Sequence, residues 1–337
     1  MISVSAVAPF YNEKDFKTQA YNAWIKLLNG KAASEREQCD ACISNAEREQ
    51  ARAKLNDNPN HKKKGIAEAH YPWRCFHGLA YRWELPSLEI FKSEKEARLR
   101  FVEPVSISFD TFPDYARYEI IPLIWDCWPN CDDALVKWFK KHEVRTCVFT
   151  CAESFERIKK RIPSLNMLLI TEGIEVEKYP EGLSLCEREI PFFLYGRSPR
   201  ILWKYVKELN GIVGGNDNEF HYRLQHAKVT LALPQCDVYP ERTDGQETLT
   251  QRFWEGMLSR MVMVGRAPRE LTDLIGYNPV IDIDYDHFAD QIRDIVAHIE
   301  DYQAMVDHNR EVALRMAPWE IRMKQVMEWL KGLGYEV

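Results

Sequence analysis

The sequence alternates short apolar segments with amphipathic segments of helical spacing, and this alternation restricts its fold more than any other feature. In the first half, apolar segments with the length of β-strands occupy residues 105–109, 120–125, 144–149 and 166–170. Segments whose apolar residues recur at helical spacing lie at 132–141 and 152–161. Because strands that alternate with helices build βαβ units, the sequence predicts an α/β fold with a parallel sheet.

A second series of the same kind follows residues 171–191, which have little periodicity and are predicted to form a linker. Its predicted strands are 190–195, 229–233, 261–264 and 280–283, and its predicted helices are 198–209, 218–226, 250–259 and 288–317. Pro318 then interrupts the pattern, and 319–330 is predicted to be a terminal helix. The glycine-rich residues 211–215 are predicted to form a turn. Two successive α/β units predict a two-lobed enzyme with its ligands in a cleft between the lobes.

The first hundred residues show weaker patterns. Residues 2–8 are predicted to form a strand and 15–28 a helix, whereas 33–55 are polar and predict a solvated helix or helical hairpin. This stretch indicates a helical, charged insertion near residues 30–65 of the first lobe. The basic residues 61–64 indicate either a solvated loop or a patch that attracts phosphate groups.

Composition and charge exclude several classes of protein. The chain has 337 residues and a net charge of −6, whereas non-specific nucleic-acid binders carry a basic surplus, so no nucleic-acid partner is expected. No apolar run approaches the roughly 18 residues of a membrane span, and the N-terminus lacks the basic region of a signal peptide. We therefore expect a cytoplasmic protein whose nine cysteines are mostly free thiols. Cys39 and Cys42 form a CxxC pair without a second pair, so no metal site is expected.

The most informative segment is an amphipathic stretch at residues 247–258. An apolar stripe runs along it and consists of Leu249, Phe253, Trp254, Met257 and Leu258. Thr248 or Thr250 is predicted to cap the start of this helix with its side chain.

The charged residues of this segment lie away from the apolar stripe. Glu247 and Glu255 are separated by seven residues, and Arg252 and Glu255 are i,i+3 neighbours. One carboxylate then lies at the mouth of the helix and the other about two turns inside, while the helix start offers N–H groups to an anion. This arrangement suits a nucleotide-diphosphate sugar. The same spacing also fits a solvated amphipathic helix with an Arg–Glu pair, and the residues alone leave both interpretations open.

Residues 247–255 resemble the E-x7-E signature of retaining GT-B glycosyltransferases of the group-1 type. The threonine, arginine and glutamate of Thr250-x-Arg252-x-x-Glu255 are also similar to the CgeB-like branch of that group. Further segments resemble the family in the same order along the chain, at 148–153, 170–174, 193–197, 224–234 and 317–322.

The resemblance implies a GT-B fold with two Rossmann-like lobes and a C-terminal helix that crosses back to the first lobe. It implies an acceptor-binding lobe at 1–185, a donor-binding lobe at 186–317 and the crossing helix at 318–337. The implied reaction moves a sugar from a nucleotide-diphosphate sugar to a hydroxyl of a glycan or glycolipid, with retention of configuration, as in polysaccharide biosynthesis. Positive charge and a helix dipole neutralise the leaving diphosphate in this family, so no metal or other cofactor is expected. A lipid-linked acceptor also implies peripheral association with the inner face of the membrane.

The same resemblance implies which residues bind the donor. They are Gly196, Arg197, Lys204, Thr248, Thr250, Arg252 and Glu255. Glu255 is expected on the ribose hydroxyls and Arg197 on the diphosphate. Arg200 and Lys204 lie on either side of the position at which the family carries its second basic residue.

Three carboxylates are candidates for catalysis. Glu247 corresponds to the glutamate that the family places near the transferred sugar. Asp110 and Asp126 end predicted strands of the first lobe, where either could orient the acceptor hydroxyl, act as the base of an inverting enzyme, or cap the next helix. An inverting GT-B enzyme and a non-catalytic nucleotide-binding protein are therefore the alternatives. The start of the chain resembles GT-A enzymes of family 2, but their D-x-D motif is absent from the first hundred residues.

Overall fold

The computed structural model describes residues 2–5, 23, 97–102, 104, 119–214 and 219–336. The predictions for 15–28, 33–55, 61–64, 105–109 and Asp110 lie outside these residues. By its internal contacts the chain divides into two compact units, Met1–Ile170 with Arg322–Val337, and Thr171–Ile321.

In the first unit, the described strands form a parallel sheet in which they are neighbours in chain order. They are β1 (Ile2–Ser5), β2 (Ala97–Val102), β3 (Glu119–Ile124), β4 (Thr146–Phe149) and β5 (Asn166–Leu169). A 3₁₀ turn (Pro129–Cys131) and helix α1 (Asp132–Lys141) follow β3, and helix α2 (Ala152–Arg161) follows β4. Strand β4 is buried along its whole length because apolar residues of both helices pack into the same core. The strand–helix alternation predicted for residues 120–170 is confirmed.

The second unit is also built on a parallel sheet. Its strands are β6 (Ile190–Tyr195), β7 (Ile212–Gly214), β8 (Ala227–Ala232), β9 (Val262–Gly265) and β10 (Ile281–Asp282). The helices from β6 to the end of the chain are α3 (Trp203–Glu208), α4 (Phe220–His226), α5 (Gln235–Val238), α6 (Pro240–Thr243), α7 (Gln251–Leu258), α8 (Arg269–Ile275), α9 (Phe288–Ala297), α10 (Gln303–Met316) and α11 (Trp319–Gly332). Short 3₁₀ turns lie at Val176–Lys178, Leu185–Glu187, Arg200–Leu202 and Ile299–Tyr302. Separate apolar cores cover the two faces of this sheet.

The strand order of the second sheet is β10-β9-β8-β6-β7. The chain enters through β6, adds β7 at one edge, and returns to β8 on the other side of β6. In open parallel sheets, ligands bind beyond the carboxyl ends of the strands at the point where the chain reverses direction in this way. The carboxyl ends of β6 and β8 are therefore the expected position of a ligand site in this unit.

Several elements differ from the prediction. Strand β2 was not predicted, because Arg98 and Arg100 interrupt its apolar pattern. The predicted turn at 211–215 is wrong for the described part, which forms the edge strand β7. Helix α8 was not predicted, and the single helix predicted at 288–317 is divided into α9 and α10 by the 3₁₀ turn between them.

The second unit begins at Thr171, earlier than the lobe boundary predicted after residue 185. The predicted linker is hydrogen-bonded into this unit: Trp254 Nε1 donates to the Glu172 carbonyl at 2.9 Å, and the Ile174 N–H donates to the Ala317 carbonyl at 2.9 Å. Tyr179 follows and is buried in the core that contains α7. This attachment brings Tyr179 to the helix that carries the proposed signature.

Helix α11 begins in the second unit, and its residues from Arg322 onward belong to the first. After the helix, the Tyr335 hydroxyl donates to Glu119 Oε1 at 2.6 Å and forms a hydrogen bond of 3.0 Å with Thr146 Oγ1. Glu119 and Thr146 lie at the starts of β3 and β4, so the C-terminal residues are tied to the first sheet.

Two further properties of the described ranges bear on the expectations from composition. No helix within them combines the length and hydropathy that crossing a bilayer requires. Their cysteines are free thiols, namely Cys127, Cys131, Cys147, Cys151, Cys186 and Cys236.

Candidate functional site

The carboxyl end of β6 opens the site in the second unit. Tyr195, the last residue of the strand, is buried, whereas Gly196 and Arg197 are exposed. Gly196 has φ = 64°, a conformation that glycine adopts without strain. A Cβ atom at this position would lie 2.5 Å from Arg252 Nη2. Position 196 therefore favours glycine for its backbone conformation, and a larger residue there would displace the Arg252 guanidinium.

Arg197 joins the ends of the two strands at the switch point. Its Nη1 donates a hydrogen bond to Oε1 of Gln235, the residue that begins α5 after β8. Gln235 is only 4% exposed, so its amide gives the guanidinium a fixed partner. Sequence reasoning missed Gln235, although its place directly after a predicted strand and Pro234 matches that of Arg197 after β6.

A second guanidinium lies beside the first. Arg252, in the first turn of α7, donates from Nη1 to the carbonyl oxygen of Arg197. Its Cζ lies 5.8 Å from the centroid of the Tyr195 ring, within the range of a cation–π contact. Burial lowers the pKa of Arg252, and the charge of Arg197 lowers it further. Two like charges held together at a strand end create a site that favours an anion.

Glu255 lies one helical turn beyond Arg252 and is half-buried. The hydroxyl of Tyr179 donates to Glu255 Oε1 at 3.4 Å, and the Tyr195 hydroxyl faces the same carboxylate. Burial raises the pKa of Glu255 to about 7, although Arg252 and the two tyrosine hydroxyls act in the opposite direction. A carboxyl group in this condition gains stability from any ligand that donates further hydrogen bonds to its ionised form.

The start of α7 faces this cluster without a side-chain cap. Thr250 is the N-cap residue, but its side chain makes no capping hydrogen bond, so the predicted threonine cap is wrong. A helix start without a side-chain acceptor can donate its N–H groups to an anion.

The predicted apolar stripe is confirmed, since the side chains of Leu249, Phe253, Trp254, Met257 and Leu258 are all buried. Thr248, in the loop before the helix, is buried as well.

Glu247 lies in an ion pair at the end of β9. Arg266, the residue after this strand, donates from Nη1 to Glu247 Oε1. The same guanidinium binds both carboxylate oxygens of Asp237, at 2.7 and 2.6 Å. Sequence reasoning missed Arg266 and Asp237, because only the sheet order shows that β8 and β9 end side by side.

The remaining basic candidates lie further along the chain from β6. Lys204 is exposed on α3, and its ammonium lies 4.6 Å from the centroid of the neighbouring Tyr205 ring. Arg200 is exposed in the 3₁₀ turn before it. Within the described ranges, no hydrogen bond or ion pair joins Lys204 to Arg197, Arg252 or Glu255.

Of the two acidic candidates in the first unit, only Asp126 is described. It follows β3 and has φ = 46°, a left-handed conformation that aspartate tolerates better than most residues. The helices that follow begin after Trp128 and Cys131, so the predicted capping role of Asp126 is wrong. Unusual backbone conformations of this kind cluster at functional sites.

No group of three or more histidine, cysteine or acidic side chains in the described part of the chain is arranged to hold a metal ion. Asp284 has a local role, because its Oδ1 accepts the backbone N–H groups of Asp286 and His287 at 3.0 Å each. These bonds order the turn that leads into α9.

Comparison with known proteins identifies the fold. No protein-family model and no curated protein sequence matches the chain significantly. The crystal structure of a glycosyltransferase from Rickettsia africae ESF-5 is similar with a TM-score of 0.53 at 8% identity, covering 100% of this chain and 98% of that one. The crystal structure of TarM is similar with a TM-score of 0.51 at 13% identity, covering 75% of this chain. The match spans 57% of the TarM chain.

At these identities the similarity concerns the fold alone. Together with the two parallel sheets, it establishes an α/β fold of the GT-B class with two Rossmann-like units. The fold prediction from the sequence is confirmed.

Proposed function

We propose that this protein is a glycosyltransferase whose second unit binds a nucleotide-diphosphate sugar. The observation that carries this proposal is the convergence of Arg197, Arg252 and Glu255 at the carboxyl end of β6. Two guanidinium groups and a helix start can bind a diphosphate, and a half-buried carboxyl one turn further along α7 can bind a pair of hydroxyls. Nucleoside diphosphates and their esters, nucleotide sugars among them, present both a diphosphate and a vicinal ribose diol.

Each donor-site residue then has a defined task. The ionised Glu255 carboxylate accepts hydrogen bonds from both ribose hydroxyls, in place of the weak contact from Tyr179. Arg197 and Arg252 bind the diphosphate, and Gly196 lets it approach the backbone. Thr248 and Thr250 flank the start of α7, where their hydroxyls and the N–H groups of the first turn donate hydrogen bonds to the diphosphate. Lys204 adds positive charge at the entrance.

The same groups supply the chemistry of the leaving group. As the glycosidic bond breaks, negative charge develops on the diphosphate oxygen and is stabilised by the fixed guanidiniums and the dipole of α7. We therefore propose a metal-independent reaction that needs no cofactor beyond the donor.

On the sugar side, we assign Glu247 to the hydroxyls of the transferred sugar. Its charge also balances the positive charge that develops on the anomeric carbon, and the product retains the configuration of the donor. The first unit then holds the acceptor, which we propose to be a hydroxyl of a glycan or glycolipid. A glycolipid acceptor places the enzyme at the inner face of a membrane.

One observation favours a second candidate. Asp126 has an unusual backbone conformation at the carboxyl end of a central strand of the first sheet, where a catalytic base of an inverting enzyme would lie. Asp110 has the equivalent position after a predicted strand. In this alternative the donor site is unchanged, but the product has the opposite anomeric configuration.

The proposal is tested by incubating the purified protein with a panel of UDP-, GDP- and ADP-sugars, together with glycan and glycolipid acceptors whose hydroxyl receives the sugar, and measuring release of the nucleoside diphosphate. We expect release from one donor class, and its loss in the Glu255→Gln variant but not in Glu300→Gln, which changes an exposed glutamate of the same unit. NMR of the product then separates retention from inversion. Nucleotide-sugar binding without turnover on any of these acceptors would favour the non-catalytic alternative.

A further inference from the structure

A second group of charges lies at the same edge of the second sheet, beyond the carboxyl end of β9. Arg266 donates from Nε and Nη2 to the two carboxylate oxygens of Asp237 at 2.7 and 2.6 Å. Its remaining nitrogen, Nη1, donates to Glu247 Oε1. One guanidinium therefore connects α5, which follows β8, to the loop that leads into α7. We call Asp237, Arg266 and Glu247 the carboxylate clamp.

The second oxygen of Glu247 is also engaged. Oε2 accepts the backbone N–H of Arg269, the first residue of α8, at 3.0 Å. The next residue, Glu270, accepts the backbone N–H of Leu249 at 2.7 Å. The loop before α7 and the start of α8 therefore hold each other at two points, and directional bonds to both oxygens fix the orientation of the Glu247 carboxylate.

The clamp contains two carboxylates and one guanidinium, so it keeps a surplus negative charge. Hydrogen bonds to Asp237 and Glu247 raise the pKa of Arg266, and these two carboxylates neutralise the charge of its guanidinium. This distinguishes Arg266 from Arg197, whose guanidinium contacts only the neutral amide of Gln235 among the described residues. Arg266 is suited to hold a carboxylate rather than to bind a diphosphate.

We infer that Asp237 and Arg266 are positioning residues for Glu247: Asp237 orients the guanidinium of Arg266, which holds the Glu247 carboxylate where it accepts hydroxyls of the donor sugar. The inference rests on the proposed function, since the sugar is that of the proposed donor. A carboxylate can accept about four hydrogen bonds, so Glu247 can bind sugar hydroxyls without releasing Arg266. The planar fork of arginine makes both contacts at once, which lysine does not.

The test is a double-mutant cycle. Asp237→Asn and Arg266→Lys are introduced into the wild type and into Glu247→Ala, and each protein is assayed for kcat and for Kd with UDP, GDP and their sugar nucleotides. We expect each change to lower kcat about tenfold in the wild type but less than about twofold in Glu247→Ala, because the clamp acts only through Glu247. The Kd for the free nucleoside diphosphate should change by less than about twofold in all of them.

Arg293→Lys is the matched control. Arg293 also joins two carboxylates, those of Glu208 and Asp290, but this ion pair lies between α3 and α9 and is exposed. The control should leave kcat and both dissociation constants unchanged. The same cycle can be measured as the Kd for the sugar nucleotide. It then tests whether the clamp acts through Glu247 without depending on turnover.

The outcomes separate the two proposals. Two results overturn the clamp alone. In the first, the losses of kcat and of sugar-nucleotide affinity are additive with Glu247→Ala. In the second, free UDP or GDP binds more weakly to the same extent. A wild-type protein that binds no nucleoside diphosphate and no sugar nucleotide overturns the proposed function and the clamp together. Non-additive losses confined to the sugar nucleotide support both.

Discussion

The two glutamates separated by seven residues lie in opposite environments. Glu247 is a paired anion, with Arg266 on one oxygen and the Arg269 N–H on the other. Glu255 is half-buried beside tyrosine hydroxyls, and burial raises its pKa to about 7. The comparison teaches that two glutamates of one sequence motif can have different properties, because the residues around each carboxylate determine its charge and its hydrogen bonds. Glu247 is held in place by the protein itself, whereas we propose that Glu255 gains its best hydrogen bonds from the ligand.

The largest effect is expected beside Glu255, on the phosphate side of the site. Arg197→Ala should lower kcat about 10²–10³-fold, because it removes a fixed donor from the charge that develops on the leaving diphosphate. The fold should be unaffected, since Arg197 is exposed. Steady-state kinetics with Arg242→Ala, an exposed arginine of the same unit, as the control would check this. Wild-type turnover in Arg197→Ala would transfer the phosphate role to Arg252.

A smaller effect is expected at Glu247. Glu247→Ala should lower kcat about 10–100-fold while the Kd for the free nucleoside diphosphate stays constant, because in the proposed complex this carboxylate binds the sugar and not the nucleotide. Calorimetry and kinetics on the same preparation measure the two quantities. If nucleotide binding and turnover fall together, the difference drawn between the two glutamates is wrong.

The pH dependence of donor binding sharpens the comparison. In the proposed donor complex only the ionised Glu255 carboxylate accepts both ribose hydroxyls, and its pKa of about 7 means that the ionised fraction rises with pH through neutrality. Affinity for a sugar nucleotide should therefore increase about tenfold between pH 6 and pH 8. A sugar nucleotide is the appropriate probe because it has no terminal phosphate that titrates in this range. Glu255→Gln should show a flat profile, and Glu247→Ala should keep the slope.

The smallest expected effect is on stability. The pKa of Glu255 is raised from its ordinary value of 4.5 to about 7 in the folded chain, so folding favours the protonated form. Wild-type stability therefore falls as the pH rises from about 4.5 to about 7. Glu255→Gln lacks this titration and should be more stable than the wild type by about 1–2 kcal/mol at pH 8, with little difference near pH 4. Urea unfolding at both pH values would show it; a variant less stable at pH 8 would contradict it.

Much of the second unit follows from local patterns. The apolar stripe of α7 predicted a helix, and its period also placed Arg252 and Glu255 on the other side, where the structure has them. Strand β6 and its Gly-Arg ending were predicted because a buried parallel strand is a continuous apolar run. These are properties of consecutive residues, which the sequence displays directly.

The partners of these residues depend on the order of the strands, which local patterns do not show. Gln235 meets Arg197 because β8 returns beside β6, and Arg266 meets Asp237 because β9 follows β8 in the sheet. Tyr179 lies in a segment without periodicity, and its contact with Glu255 depends on the attachment of residues 171–185 to the second unit. The position of a polar side chain just after a predicted parallel strand would have indicated these site residues, since Arg197, Gln235 and Arg266 all lie just beyond the end of a strand.

Isothermal titration calorimetry of the wild type and Glu255→Gln with UDP- and GDP-sugars at pH 8 tests the central claim most directly. We expect the wild type to bind one donor class, and Glu255→Gln to bind it about 10–100-fold more weakly, since charge-assisted hydrogen bonds contribute roughly 1.5–3 kcal/mol. Glu300→Gln should bind like the wild type. Equal affinities in the wild type and Glu255→Gln would contradict the assignment of the donor site to this cluster.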